Sequence, residues 1–418
     1  MSPAIARLHR DVETSGAVAL ESFWRDVSAR GTPLVEPIAD DDWHSLVTFL
    51  WRPEREVSNV VITPAPEVDG WDAASGQMSR LAGTNLWHRT YRVRKDLRAT
   101  YYFSPDDPLA DISKMDLAER TAYFEERAKA VQPDPLNPLA FQLDPDAPPE
   151  SVVELPGAPP QPWAKHRPEV PAGRVEASRF NSKMLGNTRV IWTYLPPRYD
   201  PQAAPYPLLV LFDGPAYFSM RTQVTLDNMI AAGVIPEVVC MMIQQVDRSV
   251  ELTCNDEFAE WLVLELLPRV RARYRVTSDP AKAVIAGSSY GGLAAAFLGL
   301  RHPEIFGNVL SQSASFWWGP GFEQLSDFED KAIEQEWLIH QFEKAGTRPV
   351  RFYLDIGLLE DVWLPHSGPN SVASVRKMRD VLQAQGHAVH YAEFYGGHQY
   401  ICWRGTLADG LIALLAPG

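Results

Sequence analysis

Residues 284–293 read VIAGSSYGGL, and this stretch decides the fold of the C-terminal half of the chain. A strand-like run ends at Gly287, and a run rich in small residues, typical of a helix, begins at Tyr290. Gly287, Ser289 and Gly291 match G-x-S-x-G, the pattern of a tight strand-to-helix turn that presents a nucleophilic serine. We predict Ser289 as the nucleophile and the N–H of Tyr290 as an oxyanion donor, while Ser288 only packs the turn.

Similar strand-like runs alternate with helical stretches from about residue 173 to the end of the chain. Continuous apolar strands that alternate with helices predict a parallel sheet covered on both faces. Ligands bind beyond the C-terminal ends of the strands in such sheets, so the candidate site lies there. The other runs are PLLVLFDG (207–214), EVVCMMIQQV (237–246), NVLSQSAS (308–315), RFYLDIG (351–357) and AVHYAEFYGG (388–397).

A nucleophilic serine needs a base and an acid, which in this fold follow it in the order acid, then histidine. His398 is the candidate base, because FYGGHQY places it in a loop just past the last strand. Glu360 is the preferred acid and Asp361 the alternative, whereas Asp355 lies within its strand and is expected to be structural. The other downstream histidines lie in helices, strands or other loops: His302, His340, His366, His387 and His390.

The second oxyanion donor is expected in the loop after PLLVLFDG. Pro215 has no N–H group, so Gly214 or Ala216 would donate there.

The N-terminal part of the chain has a different pattern. Short aromatic and β-branched runs separated by turn residues predict a β-sandwich of the immunoglobulin-like type over residues 1–150, which would cover the substrate. Proline-dense sequence predicts an extended linker over residues 151–172, and the catalytic domain would span residues 173–418.

Composition excludes several classes of partner. The 418 residues carry a net charge of −14, which argues against nucleic acid and membrane surfaces as partners. Three cysteines without metal-ligand spacing, and a first segment without a signal-peptide pattern, favour a reduced, cytoplasmic protein. The sequence predicts no cofactor and no metal site of the protein's own, and it does not predict an oligomeric state.

Several longer segments resemble the enterochelin (enterobactin) esterases, the Fes-type family of α/β-hydrolases. The segments are VTFLWR (47–52), LAGTNLWHRTYRV (81–93), RSVELTCNDEFAEWLVLELLP (248–268), SQSASFWW (311–318) and GGHQYICWRGTLADGLIAL (396–414). The resemblance implies a cytoplasmic α/β-hydrolase that opens the trilactone of ferric catecholate siderophores, with Ser289 and His398 as catalytic residues. The family's G-x-x-E loop falls on Gly357 to Glu360. Two neighbours of the site depart from the family: Ser288 replaces a common Gln, and Gln399 a common Asp.

Anionic, planar catecholates call for guanidinium groups and aromatic faces. Candidate substrate contacts within or beside the matching segments are Arg248, Arg404, Trp317, Trp318 and Trp403, although a core role is the alternative for each tryptophan. Two other functions stay open: a general carboxylesterase of the esterase D type for feruloyl, acetyl or S-acyl substrates, and a binding module on an inactive hydrolase scaffold.

Overall fold

The computed structural model describes residues 2–66, 73–112, 115, 117–322, 333–361 and 370–416. The strands are Leu34–Ile38 (β1), Asp41–Trp51 (β2), Val60–Thr63 (β3), Ser79–Arg80 (β4), Trp87–Arg94 (β5), Arg98–Pro105 (β6), Ala140–Phe141 (β7), Glu150–Glu154 (β8), Arg174–Asn181 (β9), Thr188–Leu195 (β10), Leu208–Leu211 (β11), Val239–Ile243 (β12), Ala283–Ser288 (β13), Asn308–Gln312 (β14), Arg351–Gly357 (β15) and Val389–Phe394 (β16).

The helices are Pro3–Ser15 (α1), Ala17–Arg30 (α2), Ala73–Gly76 (α3), Leu117–Ala130 (α4), Gly214–Ser219 (α5), Thr222–Ala231 (α6), Arg248–Glu251 (α7), Asp256–Trp261 (α8), Leu267–Arg273 (α9), Tyr290–Arg301 (α10), Trp337–Ala345 (α11), Ser371–Ala384 (α12) and Tyr400–Leu415 (α13). A π-helical turn, Leu262–Leu266, joins α8 to α9. None of these described helices has the length and apolar character needed to cross a membrane.

An eight-stranded sheet forms the centre of the C-terminal domain, in the order β16-β15-β14-β13-β11-β12-β10-β9. The six strands from β11 to β16 pair in parallel, as the alternation of strands and helices predicts. The strands β9 and β10 add an antiparallel edge that the sequence analysis did not identify.

Helices cover both faces of this sheet, and β13 shows why its sequence is apolar throughout. Ala283 and Ile285 pack into one core with α8, α10, α11 and α12. Val284 and Ala286 point the other way, into a core built with α6 and α13. Successive residues of a strand face opposite sides, so both faces of β13 require apolar residues until the strand reaches the serine turn at Ser288.

The N-terminal domain contains two four-stranded sheets, β1-β2-β5-β4 and β3-β6-β8-β7, as a sandwich requires. Aromatic residues fill the space between them: Phe49 of β2 meets Tyr101 of β6 with ring centroids 4.7 Å apart. The helical hairpin α1–α2 packs Ile5 and Trp24 with Leu50 of β2 in a separate small core.

The proline-dense segment is more ordered than its composition indicates. We expected residues 151–172 to be a linker, but residues up to Glu154 belong to β8, which pairs with β6 inside the sheet. The prolines lie on either side of β8 and none lies within it, so its backbone N–H groups can complete the ladder. Backbone hydrogen bonds to the sandwich continue beyond β8, since the N–H of Gly157 donates to the C=O of Lys95 (2.8 Å).

The loop that carries His398 contacts the N-terminal domain. The carboxamide of Gln399 accepts a hydrogen bond from the N–H of Thr100 (2.7 Å) and donates one to the C=O of Thr100 (3.1 Å). The enterochelin esterases that the sequence resembles commonly have an aspartate at this position. An aspartate could accept the first bond but could not donate the second. Gln399 therefore joins the His398 loop to strand β6 of the sandwich.

Candidate active site

Ser289 lies at the junction of β13 and α10, in a backbone conformation with φ 58° and ψ −123°. Such a conformation is unfavourable for a non-glycine residue and is typical of a strained nucleophile turn. The close approach of strand and helix requires glycine at 287, because a Cβ there would lie 2.6 Å from the carbonyl carbon of Gly291. Ser289 is partly exposed, whereas Ser288 is fully buried.

A carboxylate–imidazole pair lies beyond the neighbouring strands. Nδ1 of His398 is 2.6 Å from Oε2 of Glu360, and the Glu360 side chain is fully buried. Oε1 of Glu360 accepts hydrogen bonds from the hydroxyl of Ser313 (2.7 Å) and the N–H of Gly357 (3.0 Å). Asp361, the alternative acid, is exposed. With three donors around it, Glu360 is held in one orientation and fixes the imidazole ring.

Glycine at 357 allows this arrangement. A Cβ at that position would lie 2.4 Å from the carbonyl oxygen of Gly396 and 2.7 Å from Oε1 of Glu360. The G-x-x-E spacing in the sequence therefore has a steric origin.

The end of β14 connects the serine turn with the carboxylate. The N–H of Ser289 donates to the C=O of Gln312 (2.9 Å), and its Oγ lies 3.4 Å from Oγ of Ser315. Ser313, between these two residues, holds Glu360 through its hydroxyl group and Asp355 through its N–H (3.1 Å). Sequence reasoning missed the serines of SQSAS, although their position at the end of a parallel strand was a usable signal.

Asp355 is a second buried carboxyl group behind this site. Burial raises the pKa of Asp355 to about 7; the hydrogen bond with Thr406 opposes that increase, and the charge of Glu360 adds to it. Two ionised carboxylates cannot easily share a buried site, so a proton is held there up to neutral pH.

Two of the predicted residues, Gly214 and Arg248, lie near the serine turn. Asp213 has left-handed backbone angles (φ 52°), and Gly214 begins α5. A Cβ on Gly214 would lie 2.7 Å from backbone atoms of β12, so glycine is required. Arg248 donates two hydrogen bonds to the Asp213 carboxylate (2.7 and 2.9 Å), and its guanidinium lies 5.6 Å from the ring centre of Tyr290. Burial raises the pKa of Tyr290 to about 12, although the Arg248 charge opposes this.

A cleft of about 440 Å³ lies between the domains at His398. The hydrolase contributes His398, Gln399 and Tyr400 to its lining. The sandwich contributes Thr100 and Tyr102 of β6, and α4 contributes Phe124, Arg127 and Ala128. This cleft is hereafter called the histidine cleft.

Of the five predicted substrate contacts, the three tryptophans are buried and Arg404 lies at a second cleft. Trp403 is 3% exposed, and its indole N–H donates to Oγ of Ser313 (2.9 Å). Its ring is nearly perpendicular to that of His398, with the ring centroids 4.8 Å apart. Trp403 is therefore a buried support for His398. Trp317 and Trp318 are each 8% exposed and belong to the hydrophobic core beside the serine turn. A core role was the alternative that the sequence analysis left open for them. Arg404 does not line the histidine cleft; its Nε donates to Gln161 (2.9 Å) at a second cleft.

Among the described residues, the other histidines after Ser289 form no hydrogen bond with Glu360. His302 and His340 bond to exposed glutamates, and His387 lies within bonding distance of the backbone of Val350. His366 lies outside the described residues.

The parallel sheet, the strained serine turn and the carboxylate–imidazole pair define a hydrolase of the α/β class with an added N-terminal domain. A model of the esterase family matches residues 182–414, and a model of the enterochelin esterase N-terminal domain matches residues 46–164. The iron(III) enterobactin esterase of Dickeya dadantii is 31% identical over 94% of this chain and 93% of its own length. The chain belongs to the enterochelin esterase family, and it is a carboxylic ester hydrolase.

Further relatives cover both domains. The iron(III) salmochelin esterase of Escherichia coli is 29% identical over 98% of this chain and 97% of its own length. A crystal structure of ferric enterobactin esterase from Salmonella typhimurium matches 94% of this chain and 98% of its own, with TM-score 0.74 and 29% identity. A structure of the Shigella flexneri enzyme in the presence of enterobactin matches with TM-score 0.71 and 27% identity. These comparisons confirm the predicted family and fold class.

Proposed function

We propose that the protein is a serine esterase that hydrolyses the trilactone ester bonds of ferric catecholate siderophores such as enterobactin, and so releases their iron. The observation that carries the proposal is the buried Glu360–His398 pair, with 2.6 Å between its bonded atoms, beside a cleft that both domains line. Relatives named as iron(III) enterobactin and salmochelin esterases support this class of substrate. As the family resemblance implies, we expect the enzyme to act in the cytoplasm.

In this mechanism Ser289, His398 and Glu360 form a catalytic triad. Because Nδ1 of His398 donates to Glu360, the acceptor lone pair is on Nε2, which takes the proton of Ser289 as Oγ attacks a lactone carbonyl. The imidazolium then gives this proton to the departing seryl oxygen, which leaves an acyl-enzyme. Water repeats the cycle: Nε2 takes its proton, the acid product forms, and Oγ of Ser289 recovers a proton.

The negative charge on the carbonyl oxygen needs donors that are already in place. We assign this role to the backbone N–H groups of Tyr290 and Gly214. Each residue begins a helix that follows one of two adjacent parallel strands, β13 and β11, so both N–H groups lie at the same edge of the sheet. Fixed donors at that edge stabilise the tetrahedral intermediate at no cost in reorganisation.

The sandwich would cover the bound siderophore. A trilactone with three aromatic arms is larger than the histidine cleft, whose volume is about 440 Å³. Tyr102, which is half-buried, lies on the sandwich side of this cleft, where an aromatic arm would meet its ring. The contact of Gln399 with Thr100 keeps this wall next to His398.

The test compares Ser289→Ala with the matched control Ser288→Ala. We expect Ser289→Ala to lose both labelling by a fluorophosphonate and hydrolysis of ferric enterobactin, measured by chromatography of the released catechol products. Ser288→Ala should retain both, because its side chain is buried in the turn. An active Ser289→Ala enzyme would disprove the nucleophile assignment. Turnover of simple phenolic esters without turnover of the trilactone would indicate a general carboxylesterase instead.

A further inference from the structure

A second cleft, of about 450 Å³, lies on the other side of the segment Phe141–Leu143 from the histidine cleft. Leu143 lines the histidine cleft, whereas Phe141 and Gln142 line the second one. Its two cationic side chains are Arg221 and Arg404, and we call it the arginine cleft.

The described lining of this cleft contains no acidic side chain beside its two arginines. None of the described residues that line it is an Asp or Glu, although the whole chain carries a net charge of −14. Among the described residues, the only hydrogen-bond partner of the Arg404 guanidinium is Gln161, which is neutral, and the guanidinium of Arg221 has none. The pKa of Arg404 is lowered, first by burial and then by the charge of Arg98, against which Glu154 acts in the opposite direction. An unpaired cation in a partly buried place favours an anionic ligand.

The cleft also offers an aromatic surface. Phe218 is half-buried, and one face of its ring is stacked on Trp192 with centroids 5.8 Å apart and an interplanar angle of 18°. The guanidinium of Arg404 lies 5.2 Å from the ring centre of Phe141. Phe141 itself is buried, so Phe218 supplies the accessible ring, and one phenyl ring with two guanidinium groups is suited to an anionic ligand that carries a flat ring. The volume is within the range of small-molecule sites.

Two helices connect this cleft to the catalytic residues. Helix α5 begins at Gly214 beside the serine turn and ends at Ser219 in the arginine cleft. Helix α13 places Tyr400 in the histidine cleft and Arg404 in the arginine cleft. Four residues of helix correspond to about 6 Å along its axis, so the two clefts are neighbours.

We propose that the arginine cleft binds an anionic ligand that carries a hydroxylated benzoyl group, with Arg221 and Arg404 as contacts to its charge and Phe218 as the stacking surface for its ring. This inference rests on the proposed function, because the same chemical group occurs in the enzyme's substrate and in its product. In the intact siderophore the charge is on the iron-bound catecholate oxygens of an arm. In the released acyl-serine the charge is on the carboxylate.

The backbone of Arg221 is consistent with a binding role. It has φ 63°, a left-handed conformation that is unfavourable for an arginine, and its side chain is exposed. Strain of this kind is retained where the surrounding structure fixes it, and it occurs often at ligand-binding sites. The left-handed turn places Arg221 between the end of α5 and the start of α6.

The binding test uses full-length Ser289→Ala protein and 2,3-dihydroxybenzoyl-serine as the probe, with quenching of tryptophan fluorescence or calorimetry as the readout. Because Ser289→Ala lacks the nucleophile, the readout does not depend on catalysis. We expect Arg221→Gln and Arg404→Gln each to weaken binding about tenfold, the loss of one charge-assisted contact. Arg198→Gln is the matched control, since Arg198 is exposed and pairs with Glu237 outside the cleft. Equal affinity in all three variants would disprove the site.

Activity measurements separate the two sources of the ligand. If an arm of the intact substrate occupies the cleft, Arg221→Gln should lower kcat/KM for ferric enterobactin about tenfold and leave turnover of a p-nitrophenyl ester unchanged. If only the product binds there, kcat/KM should stay the same and inhibition by added 2,3-dihydroxybenzoyl-serine should weaken. Because Arg221 is exposed, its replacement tests the cleft even if Arg404→Gln disturbs the contact with Gln161. Failure of the trilactone reaction in the unmodified enzyme would refute the proposed function and leave the binding result unaffected.

Discussion

Asp355→Asn is expected to stabilise the protein at alkaline pH much more than at acidic pH. Asp355 is fully buried in β15, and Ser313 connects it to Glu360. Burial, with a further contribution from the charge of Glu360, raises the pKa of Asp355 from 3.8 to about 7 in the folded state. Asparagine keeps the shape of the side chain and cannot ionise.

The sign and size of the effect follow from linkage. Below pH 4 Asp355 is protonated in both the folded and the unfolded chain, so its ionisation costs nothing. Between pH 4 and pH 7 only the unfolded chain releases this proton, and stability falls as the pH rises, by about 1.4 kcal/mol per pH unit. Over about 3 units the loss is about 4 kcal/mol, and above pH 7 it stays constant.

The measurement is urea denaturation of both proteins, followed by circular dichroism. We expect the free energy of unfolding of Asp355→Asn, relative to the unmodified protein, to be about 3 kcal/mol more favourable at pH 8 than at pH 4.5. Asp361→Asn is the control, because Asp361 is exposed and adjacent to the same site. A difference that stays within about 1 kcal/mol across this pH range would show that Asp355 does not hold a proton in the folded protein.

Three further substitutions test the contacts around the site. Glu360→Gln should lower kcat for a p-nitrophenyl ester by a factor on the order of 10³ to 10⁴, because Glu360 is bonded to the imidazole of His398, the proposed base. Asp361→Asn should leave kcat within about twofold, and the opposite order would reassign the acid. Ser313→Ala removes a hydrogen-bond donor to Glu360, so it should destabilise the fold by about 1–3 kcal/mol in urea denaturation. It should also reduce kcat more than it changes KM. An unchanged kcat would exclude a positioning role for Ser313. Gln399→Ala removes the side chain that bonds to both backbone groups of Thr100. KM for ferric enterobactin should therefore rise more than KM for a small ester. Equal changes for both esters would contradict a wall formed by the sandwich.

The features that depend on local pattern could be predicted from the sequence. The apolar strands, the helices between them and the serine turn are each set by neighbouring residues, because burial on both faces and a close glycine contact both leave a mark in a short segment. The position of His398 follows from the same pattern, since it comes directly after the last strand of a parallel sheet. The family resemblance followed from longer segments of the same kind.

The tertiary structure alone decided the choices between residues that are equivalent in pattern. Glu360 and Asp361 are adjacent loop carboxylates, and only the packing of β14 and β15 buries one of them against His398. Strand β8 lies in proline-dense sequence and is a strand because β6 supplies its hydrogen-bond partners. Arg404 belongs to the same sequence segment as His398, but the helical turn between Tyr400 and Arg404 directs it to a different cleft. Contacts between residues far apart in the chain leave no periodic signal in the sequence, which is why these assignments required the folded molecule.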